Sequence, residues 1–191
     1  RLTATDRDQL SKGQTENAEA HRLYLKGRYF WNKRSEEGFR NAISFFQQAI
    51  EEDPTYALAY DGLADSYGIL AAFGIAAPRD VFPKAKAAVI RALAIDSTLA
   101  EAHATLAFIL QHYEWNWIEA EKEYKRAIAL DPTYATALHW YALLLLTLGR
   151  DEEAIAMSER SVRLDPLSLP IAASLGTVYL SMRQYERAEA Q

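Results

Sequence analysis

Apolar residues recur along this chain at the spacing of amphipathic α-helices, and the helices come in pairs that polar turns separate. The stretch from Tyr124 to Pro166 contains helix, turn, helix and turn, and Asp131-Pro132 and Asp165-Pro166 close successive units 34 residues apart. Each helix has an apolar face too broad to remain in water, so each must pack against another helix. The pattern predicts an all-α chain of repeated helix pairs.

The second helix of each pair has small residues at fixed positions. An alanine lies twelve residues before the position that closes the unit, and a second small residue, Ala or Ser, follows seven residues after that alanine. Small side chains let neighbouring helices approach closely, whereas larger side chains fill the space around the contact. The four alanines and their closing residues are Ala42 and Pro54, Ala85 and Ser97, Ala120 and Pro132, and Ala154 and Pro166.

The first helix of each pair also has fixed residue types at fixed positions, counted forward from the residue that closes the preceding unit. The tenth residue is always Ala or Gly, namely Ala64, Ala107, Ala142 and Gly176, and large residues stand at offsets 9 and 13. Together these offsets resemble the tetratricopeptide repeat, with its W-x2-L-G-x2-Y…A-x3-F…P pattern and 34-residue period. The likeness covers about residues 17 to 191, but most units lack the opening aromatic residue and Ser97 replaces one closing proline.

This resemblance implies a right-handed superhelical solenoid of about five antiparallel helix pairs, of which we expect the last to be truncated. We expect residues 1–14 to be a linker or the tail of an upstream domain, and residues 15–191 to be the repeat domain. We expect Thr15 to cap the first helix and Ser35 to precede the second. The expected unit limits are 15–54, 55–97, 98–132, 133–166 and 167–191.

The second unit contains an apolar insertion between Gly68 and Pro83. The repeat positions Tyr67 and Ala85 are separated by nine more residues than the equivalent positions of the fourth unit. Gly74, Pro78 and Pro83 interrupt this insertion. We expect a longer first helix, a loop near Gly74 to Pro78, and a second helix that starts between Asp80 and Pro83. The insertion either packs on a neighbouring unit or offers a contact site, and it is the only candidate wall for a small-molecule pocket.

Composition and charge narrow the function classes. The net charge is −5, with +3 on residues 1–40 and −8 on residues 41–191, and such an acidic body repels phosphate backbones. The basic and aromatic run from Arg28 to Arg34 is therefore interpreted as core packing rather than nucleic-acid stacking. No stretch is long and apolar enough to suggest a membrane span, and the absence of cysteine fits the cytoplasm and the periplasm equally well.

No pattern of catalytic or ligand-binding residues stands out. The four histidines, His21, His103, His112 and His139, lack zinc spacing, and no glycine-rich phosphate loop or paired nucleophile is present. We therefore expect no enzyme activity, metal or cofactor.

The resemblance implies a concave groove, formed by the first helices, that accepts a partner segment. The offsets not used in packing give the candidate groove residues Asp61, Asp65, Glu101, Thr105, Phe108, Gln111, His139 and Leu143. These predict a mildly acidic face with apolar patches, suited to a basic or apolar partner. Some family members grip a partner's C-terminal carboxylate with Lys, Arg and Asn in the groove. We expect such cations to be absent from this groove, and therefore no binding of that kind.

Three aromatic residues at turns are possible secondary contacts: Phe73, Trp115 and Trp117. The two tryptophans flank Asn116 and either plug the gap between helices or form an exposed anchor, since tryptophan is a frequent hot spot. We also expect self-association or weak order at the C-terminal edge, because the final unit lacks a complete second helix.

Two functional hypotheses follow. One is a protein-interaction scaffold, and the other is a sensor arm that controls an attached output domain. The segment from Thr15 to Tyr67 is similar to the repeat region of multidomain bacterial signalling proteins, which carry winged-helix, adenylate or guanylate cyclase, or kinase domains. An upstream output domain in the full-length protein would favour the sensor arm.

Overall fold

A computed structural model describes residues 15–191, which form ten α-helices in five pairs. The first four pairs are α1 and α2, α3 and α4, α5 and α6, and α7 and α8; α9 pairs with the short α10. The predicted all-α solenoid is confirmed, whereas the predicted linker lies outside the described residues. The helices are α1 (Ala18–Asn32), α2 (Glu36–Glu52), α3 (Ala57–Ala72), α4 (Pro78–Ile95), α5 (Ala100–His112), α6 (Trp117–Leu130), α7 (Ala135–Thr147), α8 (Asp151–Leu164), α9 (Leu169–Ser181) and α10 (Tyr185–Ala190).

Side-chain caps fix the start of the first two helices. Asn17, not Thr15, caps α1, since its side chain accepts hydrogen bonds from the amides of Glu19 and Ala20. The Thr15 hydroxyl instead binds the carboxylate of Asp53. The second helix starts within Ser35 to Glu37 as predicted, and Ser35 caps it by accepting a hydrogen bond from the amide of Gly38.

The repeated small residues lie where the helices pack. All four alanines at the conserved position in the second helices, and the four small residues seven positions later, are completely buried. A larger side chain at any of these positions would push two helices apart, because protein interiors have no spare volume. These residues are Ala42, Ala85, Ala120 and Ala154, followed by Ala49, Ala92, Ala127 and Ser161.

Each turn within a pair contains a residue in the left-handed conformation. Arg34, Gly74, Trp115, Gly149 and Arg183 have φ angles between 50° and 72°. The conformation reverses the chain in few residues, so that the two helices of a pair become neighbours. Glycine adopts it freely, whereas the other residue types are strained there.

The turns between pairs use an aspartate instead. The Oδ1 atoms of Asp53, Asp96 and Asp131 each accept hydrogen bonds from the amide and hydroxyl of a threonine two residues later, at distances of 2.7 to 2.9 Å. This side-chain turn holds the exit from one pair toward the next. The last such turn has Leu167 at the threonine position, and its side chain is 90% exposed.

The insertion in the second unit lengthens both helices and packs on the next unit. Pro78 is the first residue of α4, so the predicted start between Asp80 and Pro83 is wrong, and Pro83 lies inside the helix. The early start is favoured because proline suits a first helical turn and because Phe82 becomes buried. Its ring stacks on Tyr113 of the third unit, with the ring centroids 5.0 Å apart.

Candidate binding groove

The first helices form a continuous inner layer. Along α1, α3, α5, α7 and α9, each first helix packs on the next, whereas within residues 15–191 the second helices of successive pairs make no such contact. A stack whose first helices touch and whose second helices diverge curves toward the first helices. The surface of this layer is therefore concave, and we call it the groove.

The predicted groove residues differ strongly in exposure. Asp61 and Asp65 are only 4% and 5% exposed, and Thr105, Phe108 and Gln111 are also buried. The prediction that these five line an open surface, free of packing, therefore needs correction. The remaining three, Glu101, His139 and Leu143, are half-buried and reach the groove surface.

Specific contacts explain the burial in α5. The carbonyl oxygen of the Gln111 side chain accepts a hydrogen bond from the Tyr124 hydroxyl at 3.0 Å, so Gln111 packs toward α6. The ring of Phe108 stacks on His112 with centroids 4.1 Å apart, and its centroid lies 4.9 Å from that of Trp140. These residues hold helices together and contribute little open surface.

At the N-terminal end of the groove, cations from the first unit lie beside the acids of α3. The Nη1 atom of Arg28 is 3.8 Å from Oδ2 of Asp65. The guanidinium groups of Arg28 and Arg34 lie 4.6 and 3.5 Å from the ring centroid of Trp31. Trp31 is buried as predicted, whereas Tyr29 of the same run is 61% exposed, so the prediction of core packing is wrong for Tyr29. The expected absence of cations from the groove is thus wrong, because α1 also belongs to the inner layer.

Burial changes the protonation of this acidic and basic cluster. It raises the pKa of Asp61 to about 8, with Asp65 and Glu101 adding to the rise and Thr105 and Arg28 opposing it. Burial also raises the pKa of Asp65 to about 6 against the attraction of Arg28 and Arg34, and raises the pKa of Glu101. This end of the groove is therefore much less acidic at neutral pH than the residue types suggested.

His139 is an uncharged part of the surface at neutral pH. Burial, assisted by the positive charge of Arg34, lowers the pKa of its imidazole to about 4. The side chain can hydrogen-bond to a partner but adds no charge to the groove.

The groove becomes more accessible toward its C-terminal end. His139 and Leu143 of α7 are half-buried, and Ala173 and Thr177 of α9 are exposed. The last two stand seven and eleven residues after their closing position, as His139 and Leu143 do. Extending the same offsets into the fifth unit would have found them. The accessible floor is therefore small and largely uncharged.

The aromatic residues at the turns occupy different environments. Trp115 is 72% exposed and Phe73 is also exposed, so neither plugs a gap between helices. Trp117 is half-buried and packs against the core. Of the two alternatives, exposed contact suits Trp115 and helix packing suits Trp117.

The most prominent cavity among residues 15–191 is lined by no residue of the insertion. This cavity of about 340 Å³ lies between two inter-unit turns, where Thr98 to Glu101 face Leu130 to Thr133. Within the described part of the chain, no three metal-binding side chains come together. None of its helices combines the length and apolar character that crossing a membrane requires.

Family and structure comparisons agree with this architecture. Residues 123–156 match the tetratricopeptide repeat family. A thermophilic tetratricopeptide-repeat protein of Thermus thermophilus has a TM-score of 0.70 and 19% identity, with 90% of this chain and 87% of that chain covered. PilF of Pseudomonas aeruginosa has a TM-score of 0.61 and 20% identity, covering 90% and 72%. These likenesses establish the fold.

The curated relatives are transcriptional regulators. HilA of Salmonella typhimurium is 26% identical over 144 residues, which are 75% of this chain but 26% of HilA. HilA of Salmonella typhi matches to the same extent. The chain thus spans about a quarter of the length of the relatives it matches.

Proposed function

We propose that this tetratricopeptide-repeat protein is an interaction scaffold whose groove binds an extended segment of a partner protein. The fold supports protein–protein interaction in general, and binding of the partner segment in the groove is the specific point that we propose. The observation that carries it is the accessible floor on α7 and α9, where half-buried and exposed side chains follow one another along a continuous concave layer.

The character of this floor favours a partner segment with apolar side chains. Leu143 offers an apolar contact, while His139 and Thr177 offer polar atoms without charge at neutral pH. A groove of this kind recognises a segment through a few side-chain positions rather than through net charge. Glu101 is the half-buried acid at the edge of this floor and would accept a basic residue of the same segment.

Site-specific photo-cross-linking tests the proposal. A benzoylphenylalanine at Leu143 or Thr177 should cross-link a partner in lysate of the source organism, and the cross-links should map to one continuous segment of one protein. The matched control places the same group at Ile90, which is exposed on the second helix α4. Cross-linking of the same segment from Ile90, or no mapped segment from either groove position, would overturn the proposal.

A second candidate function is a regulatory arm that transmits partner binding to an attached output domain. The observation that favours it is the similarity to HilA, whose name describes a transcriptional regulator and of which this chain spans about a quarter. The test introduces Leu143→Arg into the full-length natural protein and measures the output activity. An activity equal to that of the matched Ile90→Arg variant would contradict regulation through the groove.

A further inference from the structure

Among residues 15–191, the charged groups that act on Asp61 and Asp65 include one more acid than cations. Asp65 and Glu101 both raise the pKa of Asp61, so these three carboxyl groups interact with one another. The two guanidinium groups belong to Arg28 and Arg34, and both act on Asp65. His139 is neutral because its pKa is about 4. The charge count therefore leaves one carboxylate unmatched when all the acids are ionised.

Asp61 is the acid left over. Its Oδ1 atom is buried and has no hydrogen-bond partner among residues 15–191, although buried polar atoms normally have one. Asp65 on the next helical turn has Arg28 at 3.8 Å, whereas no ion pair of Asp61 occurs within residues 15–191. An unpaired buried acceptor is unfavourable, so a donor that reached Oδ1 would stabilise it.

The surroundings of Asp61 are contributed by four elements of the inner layer. Tyr24 and Arg28 come from α1, and Asp65 comes from α3. Glu101 and Thr105 come from α5. The charge of Asp61 also raises the pKa of the Tyr134 hydroxyl, just before α7. In the absence of a further cation, a proton supplies the missing positive charge, as the raised pKa of Asp61 reflects.

We propose that Asp61 and Asp65 form a subsite for the ammonium or guanidinium group of a lysine or arginine side chain of the partner segment. The incoming cation would replace the proton on Asp61, donate to the unpaired Oδ1 atom, and bring the charge count to zero. This inference rests on the proposed function, because the subsite lies in the same groove.

The depth of Asp61 explains why a long side chain is required. Asp61 is only 4% exposed, and Asp65 on the next helical turn is 5% exposed. Lysine and arginine carry their charge on a flexible apolar stem, which can reach a buried acid while the partner backbone stays at the groove surface. A free metal ion fits less well, since no cluster of three ligating side chains exists in the described part of the chain.

A peptide comparison tests the subsite. The probes are capped seven-residue peptides of alternating alanine and leucine that differ only at the central residue, which is lysine, arginine or norleucine. Norleucine keeps most of the lysine stem and lacks the charge. Binding is followed at pH 7.5 by amide chemical shifts of the full chain, which report both affinity and the residues affected.

We expect the lysine and arginine peptides to bind at least tenfold more tightly than the norleucine peptide, with shifts at Asp61, Asp65 and Thr105. The Asp61→Asn variant, which keeps the shape and removes the charge, should reduce this preference below threefold. The matched control is Asp165→Asn, which makes the same charge change at an exposed acid outside the groove. This control should retain the full preference.

Each other outcome overturns the subsite. If the norleucine peptide binds as tightly as the lysine peptide and shifts groove residues, the groove remains a binding surface and only the subsite fails. If Asp61→Asn keeps the preference for lysine, the cation binds elsewhere. If no peptide changes the amide chemical shift of any groove residue, the subsite fails. The cross-links from Leu143 and Thr177 then decide separately whether the groove binds a partner.

Discussion

At the scale of single residues, burial decides what the acids of the groove do. Asp61 and Asp65 were expected to be surface charges, but α1 and α5 enclose them, and the cost of burying charge keeps Asp61 protonated at neutral pH. The sequence predicts the face on which an acid lies, because that follows from helical offsets. It does not predict how closely Arg28 and Thr105 approach, because they come from other helices.

Asp61 makes stability dependent on pH. Its pKa rises from 3.8 in the unfolded chain to about 8 in the fold, so the native state binds the extra proton between these values and loses stability as the pH rises through them. The Asp61→Asn variant should therefore be more stable than wild type at pH 8, by about 4–5 kcal/mol, and nearly equal at pH 4. Urea denaturation at several pH values measures this difference.

The comparison isolates Asp61 from the other titrating groups. Tyr24, Arg28, Asp65, Glu101 and Tyr134 face it in both proteins, so their contributions cancel in the difference to first order. The matched control is Asp165→Asn, which makes the same substitution at an exposed acid outside the groove. The free energy of unfolding of Asp61→Asn minus that of wild type should grow between pH 4 and pH 8. A constant difference would contradict the raised pKa of Asp61.

Trp115 combines an unfavourable backbone with an exposed side chain. Its φ angle of 55° lies in the left-handed region, which costs a non-glycine residue about 1–2 kcal/mol. Trp115→Gly should therefore leave the melting temperature unchanged or raise it, because little burial is lost. Trp117→Ala should lower it, because Trp117 packs on the core. A Trp115→Gly variant that melts as low as Trp117→Ala would show that Trp115 is structural.

At the scale of helices, the ring of Phe46 sets the spacing of the first three helices. A Cβ atom added at Gly62 of α3 would lie 2.6 Å from the Phe46 ring, and one added at Gly27 of α1 would lie 2.5 Å from it. Phe46 of α2 is completely buried between these two glycines. The small residues here are therefore required by close approach rather than by backbone conformation.

Two glycines of α3 should respond in opposite ways to the same substitution. Gly62→Ala should destabilise the chain by about 1–3 kcal/mol, because the ring of Phe46 cannot move away from a packed position. Gly68→Ala meets only ordinary contact with Phe108 at 3.4 Å and should stabilise the helix by up to about 1 kcal/mol. Thermal denaturation of both variants measures the contrast, and equal effects would contradict this account of the packing.

Helix pairing was predictable from the sequence, whereas the links between pairs were not. The offsets of Ala42, Ala85, Ala120 and Ala154 placed the packing faces correctly because close packing restricts residue size at fixed spacing. Ion pairs between units carry no such constraint. Glu121 accepts hydrogen bonds from Tyr141 at 2.8 Å and Arg150 at 2.6 Å, and Glu159 makes the equivalent pair of bonds one unit later with Tyr179 and Arg187.

At the scale of the whole molecule, the stack has different properties at its two ends. The first unit packs on α3, where acids and cations lie together, whereas the last turn between pairs and α9 present exposed leucines. Leu167, Leu169 and Leu180 are 90%, 81% and 54% exposed. Leu167 and Leu169 stand two residues apart at the start of α9, and exposed apolar side chains of this kind can form an association surface.

The C-terminal surface should associate with a second copy of the chain. We expect the mass measured by light scattering to rise with concentration, since burying exposed leucines in a dimer is favourable. The double variant Leu167→Ser and Leu169→Ser should stay at the monomer mass without losing stability, because neither side chain contributes to the core. A wild-type mass that stays monomeric at every concentration would contradict this expectation.

The central claim is that the groove, and not the outer face, recognises the partner. The most direct measurement is calorimetric titration of the cross-linked partner segment, made as a synthetic peptide, against two charge-introducing variants with wild-type circular dichroism. Leu143→Arg on the groove floor should weaken binding at least tenfold, and Ile90→Arg on the exposed face of α4 should change it less than twofold. The reverse order, or equal affinities for both variants, would contradict the account.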